Sequence, residues 1–181
     1  MIEKGPFYIR PLQETDIPYM TKWLSDPEVL EWYEGRDQAH DAERVKQHFF
    51  SGADERVNRN LILLEDTPIG YVQYYPLSEK EKRLYGYIDE EPIFGMDQFI
   101  GELKYQNKGI GSSFILLIVD FLFEEWGAKK VVMDPRKRNE RALRCYEKCG
   151  FRRVKELKAH EKHEGKWEDC ILMEKTRIIN L

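Results

Sequence analysis

Gln106-Asn107-Lys108-Gly109-Ile110-Gly111 joins two segments of opposite habit. Upstream, Pro92 to Glu102 reads as a strand. Downstream, Ser112 to Trp126 is dominated by apolar residues and reads as a buried helix. A strand, a glycine-bearing loop and a helix N-terminus together commit this part of the chain to an α/β arrangement. They also make an anion site, because glycines let the backbone approach a ligand and the first N–H groups and the helix dipole face its charge. A pyrophosphate is the expected anion. The spacing fits neither GxxxxGK[ST] nor GxGxxG, which argues against an ATP loop and a dinucleotide fold.

The rest of the chain alternates helix and strand signals. Phe7 to Arg10 is a short strand, and Thr15 is expected to cap a helix reaching about Ser25. Asp26-Pro27 opens a helical turn that Gly35 ends, and Asp41 to Phe50 is helical with Val45, Phe49 and Phe50 inward. Asn60 to Glu65 and Ile69 to Tyr75 form a hairpin around Asp66-Thr67-Pro68. Ser78 to Glu91 reads as an irregular acidic loop over a site. After the long helix, stopped by Gly127, come a short strand at Lys130 to Asp134, a helix capped by Asn139 and stopped by Gly150, and strands at Phe151 to Glu156 and Asp169 to Thr176. The order implies a single α/β domain spanning 1–181, with no repeats or linkers.

Net charge is −4, unevenly spread: Arg136 to Lys155 carries nine Lys/Arg against two Asp/Glu, leaving −11 elsewhere. A basic arm on an acidic body suits two ligands of opposite sign. An acidic body without an aromatic stacking platform argues against a nucleic-acid partner. No apolar run approaches transmembrane length, so no membrane partner is expected. Cys145, Cys149 and Cys170 are odd in number and lack CxxC spacing, so a reduced, cytoplasmic chain is expected.

Two blocks together resemble the GNAT acetyl-CoA-dependent N-acetyltransferases: Gln106–Gly111 and, one strand later, Asn139-Glu-Arg-Ala-Leu-Arg-Cys-Tyr-Glu-Lys-Cys-Gly-Phe151. Within that superfamily, Trp23-Leu-Ser-Asp26, Val29–Asp37, Pro68–Gln73, Phe94–Gly101 and His163–Cys170 are similar to the aminoglycoside 6′-N-acetyltransferases. The likeness spans nearly the whole chain. It extends to the acetyltransferase half of the bifunctional acetyltransferase–phosphotransferase enzymes. It implies the GNAT fold, a mixed central sheet flanked by helices in which two parallel strands splay and admit the pantetheine arm.

The resemblance assigns roles. Gln106, Lys108, Gly109, Ile110, Gly111 and Ser112 would cradle the pyrophosphate of acetyl-CoA. Phe99 and Ile100 would pair with pantetheine through their backbones, Asn139 would bond that arm, and Arg144 and Lys148 would meet the 3′-phosphate. Asp97 stands in an otherwise apolar strand segment, where a carboxylate is costly unless it meets a partner such as a cationic amine. It matches the family's general base, and Tyr146 matches the acid that protonates the coenzyme A thiolate. A polyammonium acceptor calls for carboxylates and aromatic rims. Trp23, Trp32, Tyr33, Glu34, Gln73, Asp134 and Asp169 occupy the family positions, although core packing accounts better for Trp23 and Trp32. Asp89, Glu90 and Glu91 would add long-range attraction. His160 and His163 match no metal pattern, and the chemistry needs no metal.

The resulting expectation is direct acetyl transfer to an aminoglycoside 6′-amine by a monomer or homodimer. The rivals are another amine acceptor (a ribosomal protein N-terminus, a polyamine, a siderophore precursor) and a non-catalytic acyl-CoA sensor.

Overall fold

The computed structural model describes residues 1–88 and 91–178. Asp89 and Glu90, expected to attract the acceptor, lie outside the described residues. The strands are β1 (Ile2–Lys4), β2 (Phe7–Pro11), β3 (Asn58–Leu64), β4 (Thr67–Pro76), β5 (Ile93–Ile100), β6 (Lys130–Met133), β7 (Arg152–His163) and β8 (Lys166–Thr176). Among the described residues they form an eight-stranded sheet in the order β1-β2-β3-β4-β5-β6-β8-β7. The helices are α1 (Ile17–Trp23), α2 (Pro27–Leu30), α3 (Ala42–Phe49), α4 (Glu79–Tyr85), α5 (Ile110–Glu124) and α6 (Glu140–Lys148). None of them is long and apolar enough to cross a membrane.

Most elements begin and end where the residue chemistry dictates. Asp26, Asp41 and Asn139 cap α2, α3 and α6, each side chain accepting a backbone N–H of the first turn. The β3–β4 hairpin turns on Glu65 and Asp66, both left-handed (φ 48° and 64°), which matches the strand twist of a primed turn. Three expectations are corrected. Thr15 does not cap α1. Instead the Asp16 carboxylate accepts both Arg10 guanidinium nitrogens (2.7 and 2.8 Å) and the Gln13 N–H (2.8 Å), which turns the chain one residue later. The supposed loop after Ser78 contains α4, started by a capping box in which the Glu81 N–H donates to Ser78 Oγ and the Ser78 N–H donates to the Glu81 carboxylate. The strand expected to end at Glu156 continues as β7 to His163. Its exposed charged residues hide the alternation that marks a half-buried strand.

The chain packs as two compact units. The first comprises Met1–Gln73, Asp97–Gly111 and His163–Lys166. Its core gathers Met20, Trp23 and Leu24, Val45 and Phe49 of α3, Leu61 and Leu63 of β3, Tyr71 of β4 and Phe99 of β5. The second comprises the described residues of Tyr74–Met96, Ser112–Lys162 and from Trp167 onward. Leu77, Ile93, Val132, Leu157, Cys170 and Leu172 form a core cluster there. Along α5, Phe114, Ile115, Leu117, Ile118, Val119, Leu122 and Phe123 are buried, as the apolar run requires.

The middle of the sheet is where direction changes. β4 and β5 run antiparallel: the Ile69 carbonyl accepts the N–H of Gly101, and at the other end the Leu77 N–H donates to the Ile93 carbonyl. β5 and β6 run parallel, but their register covers only Ile93↔Lys130, Phe94↔Val131 and Gly95↔Val132. β5 then continues to Ile100 without a further pair to β6, while Met133 of β6 pairs with Met173 of β8. This is the abbreviated parallel pairing that a splayed pair of strands requires.

Candidate active site

In the first unit the site is built on the facing ends of β4 and β5. Tyr71 is fully buried, and burial pushes its phenol well above the ordinary range, so it remains a donor. Its hydroxyl donates to Gln73 Oε1 (2.9 Å), and Gln73 Nε2 donates to Asp97 Oδ2 (2.9 Å). The amide can satisfy both neighbours only in this orientation, so Tyr71 fixes Gln73 and Gln73 fixes one oxygen of the half-buried Asp97. Gln73, read from sequence as an acceptor contact, thus also positions the proposed base.

Phe99, two residues beyond Asp97, is buried among aromatic rings. Tyr33 lies 4.6 Å from it, Tyr71 5.7 Å, and Trp23 6.1 Å edge-on. Trp23 is 1% exposed, covers Gly101 and donates its indole N–H to Glu102 (3.0 Å), the environment of a core residue. Trp32, Tyr33 and Glu34 are half-buried. Glu34 has a left-handed backbone (φ 67°) and its Oε1 lies 3.9 Å from His48 Nε2.

Backbone direction divides the two residues expected to meet pantetheine. In an antiparallel ladder alternate residues turn N–H and C=O to the same neighbour. Gly101 bonds Ile69 of β4 and Ile93 bonds Leu77, so Phe99 turns its backbone to β4, whereas Gln98 and Ile100 turn theirs to the opposite edge. The Ile100 carbonyl accepts Gln106 Nε2 (3.0 Å), which ties the start of the glycine loop to the end of β5. The sequence reading did not single out Gln98, which shares the backbone direction of Ile100 through the two-residue alternation along the strand.

Loop and helix follow directly. Asn107 and Gly109 are left-handed (φ 59° and 76°), and α5 starts at Ile110. A Cβ on Gly109 would meet nothing within 4 Å, so glycine is required there by conformation and not by crowding. Lys108 is exposed, and Ile110, Gly111 and Ser112 occupy the first helical turn. Backbone N–H groups of a first turn have no helical acceptor. This donor set suits a polyphosphate.

In the second unit, α6 carries the remaining candidates. Asn139 Oδ1 accepts the Ala142 N–H (3.1 Å), so its oxygen is committed to the cap and its amide NH2 is the part suited to a ligand. Tyr146 is half-buried, its ring 6.3 Å from Phe151. Arg144 and Lys148 are exposed. Cys145 Sγ lies 3.4 Å from Ser112 Oγ, and the Cys149 thiol lies 3.7 Å from the Ser112 carbonyl oxygen. Hydrogen bonding from Cys149, assisted by Ser112, lowers the Cys145 thiol to about 6, and the same pairing pushes Cys149 up.

The two acidic candidates in this unit already have partners. Asp134 Oδ2 accepts the Tyr85 hydroxyl from α4 (2.8 Å) and faces His160 Nε2 (2.7 Å), and this hydrogen bond raises the imidazole above its ordinary value. Asp169 accepts the Ala159 N–H (2.9 Å) and pairs with Lys158 (3.0 Å), which hold it below the usual carboxylate range. Its place is within the β7–β8 hairpin. Glu161 is raised by burial and lies 3.4 Å from Arg136, itself 4% exposed.

A family model, the acetyltransferase (GNAT) domain, matches residues 13–159. Aminoglycoside N(6′)-acetyltransferase type 1 of Klebsiella pneumoniae is 30% identical over 151 residues, covering 80% of this chain and 73% of that protein. The crystal structure of aminoglycoside acetyltransferase AAC(6′)-Ib in complex with coenzyme A superimposes with a TM-score of 0.74 at 25% identity, covering 94% of this chain and 95% of the other. The same enzyme with coenzyme A and kanamycin gives 0.71, with the same identity and coverage. The spermidine N-acetyltransferase of Vibrio cholerae shares the fold at 16% identity (TM-score 0.74; 96% of each chain). The chain belongs to the GNAT acetyltransferase family.

Proposed function

We propose that this chain, acting as one acetyltransferase domain, moves acetyl from acetyl-CoA directly to the 6′-amine of an aminoglycoside. The observation that carries the reading is the Tyr71–Gln73–Asp97 relay, which holds a carboxylate in one orientation on a strand that stays in register with β6 only from Ile93 to Gly95. The relatives named above, one of them solved with both coenzyme A and kanamycin, support the choice of donor and acceptor.

Bound acetyl-CoA supplies an activated thioester. Gln98 and Ile100 of β5 present backbone groups to the arm that carries it, and the first turn of α5 with Lys108 meets its phosphates. Asp97 takes the proton that the attacking amine must lose. Tyr146 gives a proton to the departing thiolate. Tyr33 and Asp134 offer an aromatic and a carboxylate contact to the acceptor's remaining rings. Cys145 lies on α6 and Cys149 directly follows it, neither being on the strand bearing Asp97, so transfer needs no acyl-thiol step.

The test is thiol release from acetyl-CoA with kanamycin A, run beside an analogue with a hydroxyl at the 6′ position. Turnover with the amine alone is expected. Silence with both, while acetyl-CoA still binds, would move the function to another amine. Asp97→Asn should lower kcat at least about 100-fold and Tyr146→Phe at least about tenfold, whereas unchanged turnover across pH would remove either residue from its role.

A further inference from the structure

Glu34, His40 and His48 bring three ligating atoms within 4.8 Å of one another, in a part of the first unit where the two histidines have no role in acetyl transfer. His40 lies just before α3 and is 1% exposed. Its Nδ1 is 2.6 Å from the Gln38 carbonyl oxygen. A carbonyl can only accept, so Nδ1 carries the hydrogen and Nε2 presents its lone pair. That lone pair faces His48 Nδ1 at 3.0 Å.

Two imidazole nitrogens this close either share a proton or converge on one ion. Tetrahedral zinc with nitrogen bonds of about 2.0–2.1 Å places its ligands about 3.3 Å apart, close to the separation already present. The geometry around the pair is that of a prepared ligand set. The Gln38 carbonyl sets the His40 tautomer and ring angle, the role an outer-shell carbonyl takes for a metal-bound imidazole. The His48 ring is stacked on Phe49 (centroids 4.5 Å apart, planes at 17°), which fixes its direction. Glu34 supplies the carboxylate: its Oε1 stands 3.9 Å from His48 Nε2, wider than the histidine pair, so an ion on His48 Nδ1 would draw the carboxylate round the ring edge.

We propose that this is a zinc site, with His40 Nε2, His48 Nδ1 and a Glu34 carboxylate oxygen as ligands. Water takes the fourth position, since the His48 side chain is 46% exposed. The ion takes no step in acetyl transfer. It ties the turn that follows Tyr33 to the last turn of α3.

Calorimetric titration of the chelator-treated full chain with Zn2+ should show a single equivalent bound. His48→Ala and Glu34→Gln should each weaken it at least about tenfold. His48 is partly exposed, so the first variant is expected to stay folded, and its melting temperature is recorded alongside. Co2+ in place of Zn2+ should give the visible absorption of a tetrahedral nitrogen–oxygen site. Absence of binding, wild-type affinity in a folded His48→Ala, or a near-ultraviolet thiolate band that assigns the ion to cysteines would each overturn the proposal.

Discussion

Neighbouring side chains set the protonation of His160 and Cys145, and pH separates them. The Asp134 carboxylate at 2.7 Å favours the imidazolium, so folding raises the His160 pKa above its ordinary 6.5. The resulting stability is fully present below pH 6.5 and is lost as pH rises through the raised folded value. Urea unfolding of wild type and His160→Gln should therefore differ most in mild acid, by up to about 1 kcal/mol, and converge on the alkaline side. A difference that grows with pH would exclude the ion pair. Cys145 behaves in the opposite sense. With its thiol lowered by the Cys149 hydrogen bond, its alkylation by iodoacetamide, followed by mass spectrometry, should reach half its maximal rate at a lower pH than an ordinary thiol. Cys149→Ala should move the midpoint toward the ordinary thiol value. Asp97 was readable in the sequence because a carboxylate in an apolar strand is an anomaly. Its partner was not, since Gln73 meets it only because β4 folds back on β5.

At the scale of elements, α4 shows how a local signal can be overlooked. Ser78-Glu79-Lys80-Glu81 contains the serine and the glutamate three residues on that make a capping box, and Gly86 supplies a left-handed stop (φ 86°). The polar, acidic composition suggested a loop because this short helix has no fully buried residue. Ser78→Ala removes the side-chain half of the box and should cost about 1 kcal/mol. Because Tyr85 of α4 bonds Asp134, the same substitution should raise KM for an aminoglycoside while leaving KM for acetyl-CoA nearly unchanged. Equal changes in both constants would detach α4 from acceptor binding. In contrast, α5 and α6 were legible almost to the residue. Apolar periodicity, the Asn139 cap and the glycines at 127 and 150 are local chemistry that no tertiary contact overrides.

For the whole molecule, the charge distribution implies a measurable consequence. A body carrying −11 outside the Arg136–Lys155 stretch should attract a polyammonium acceptor over distances longer than a contact. Raising salt from about 0.1 M to about 1 M shortens the screening length from about 10 Å to about 3 Å. KM for kanamycin should then rise several-fold in steady-state assays, and a flat profile would mean that the acceptor is held without these charges. The sequence by itself determined most kinds of element, the glycine loop before α5 and the general-base candidate, because caps, glycine stops, hydrophobic period and an out-of-place carboxylate are encoded within a few residues of one another. Only the tertiary structure decided that β5 keeps β6 for three residue pairs, that Gln98 and Ile100 rather than Phe99 turn their backbones away from β4, and that Asp134 and Asp169 already have partners. Those outcomes depend on strand register and on residues far apart in the chain, and a short stretch of sequence carries no record of which distant group will stand opposite it.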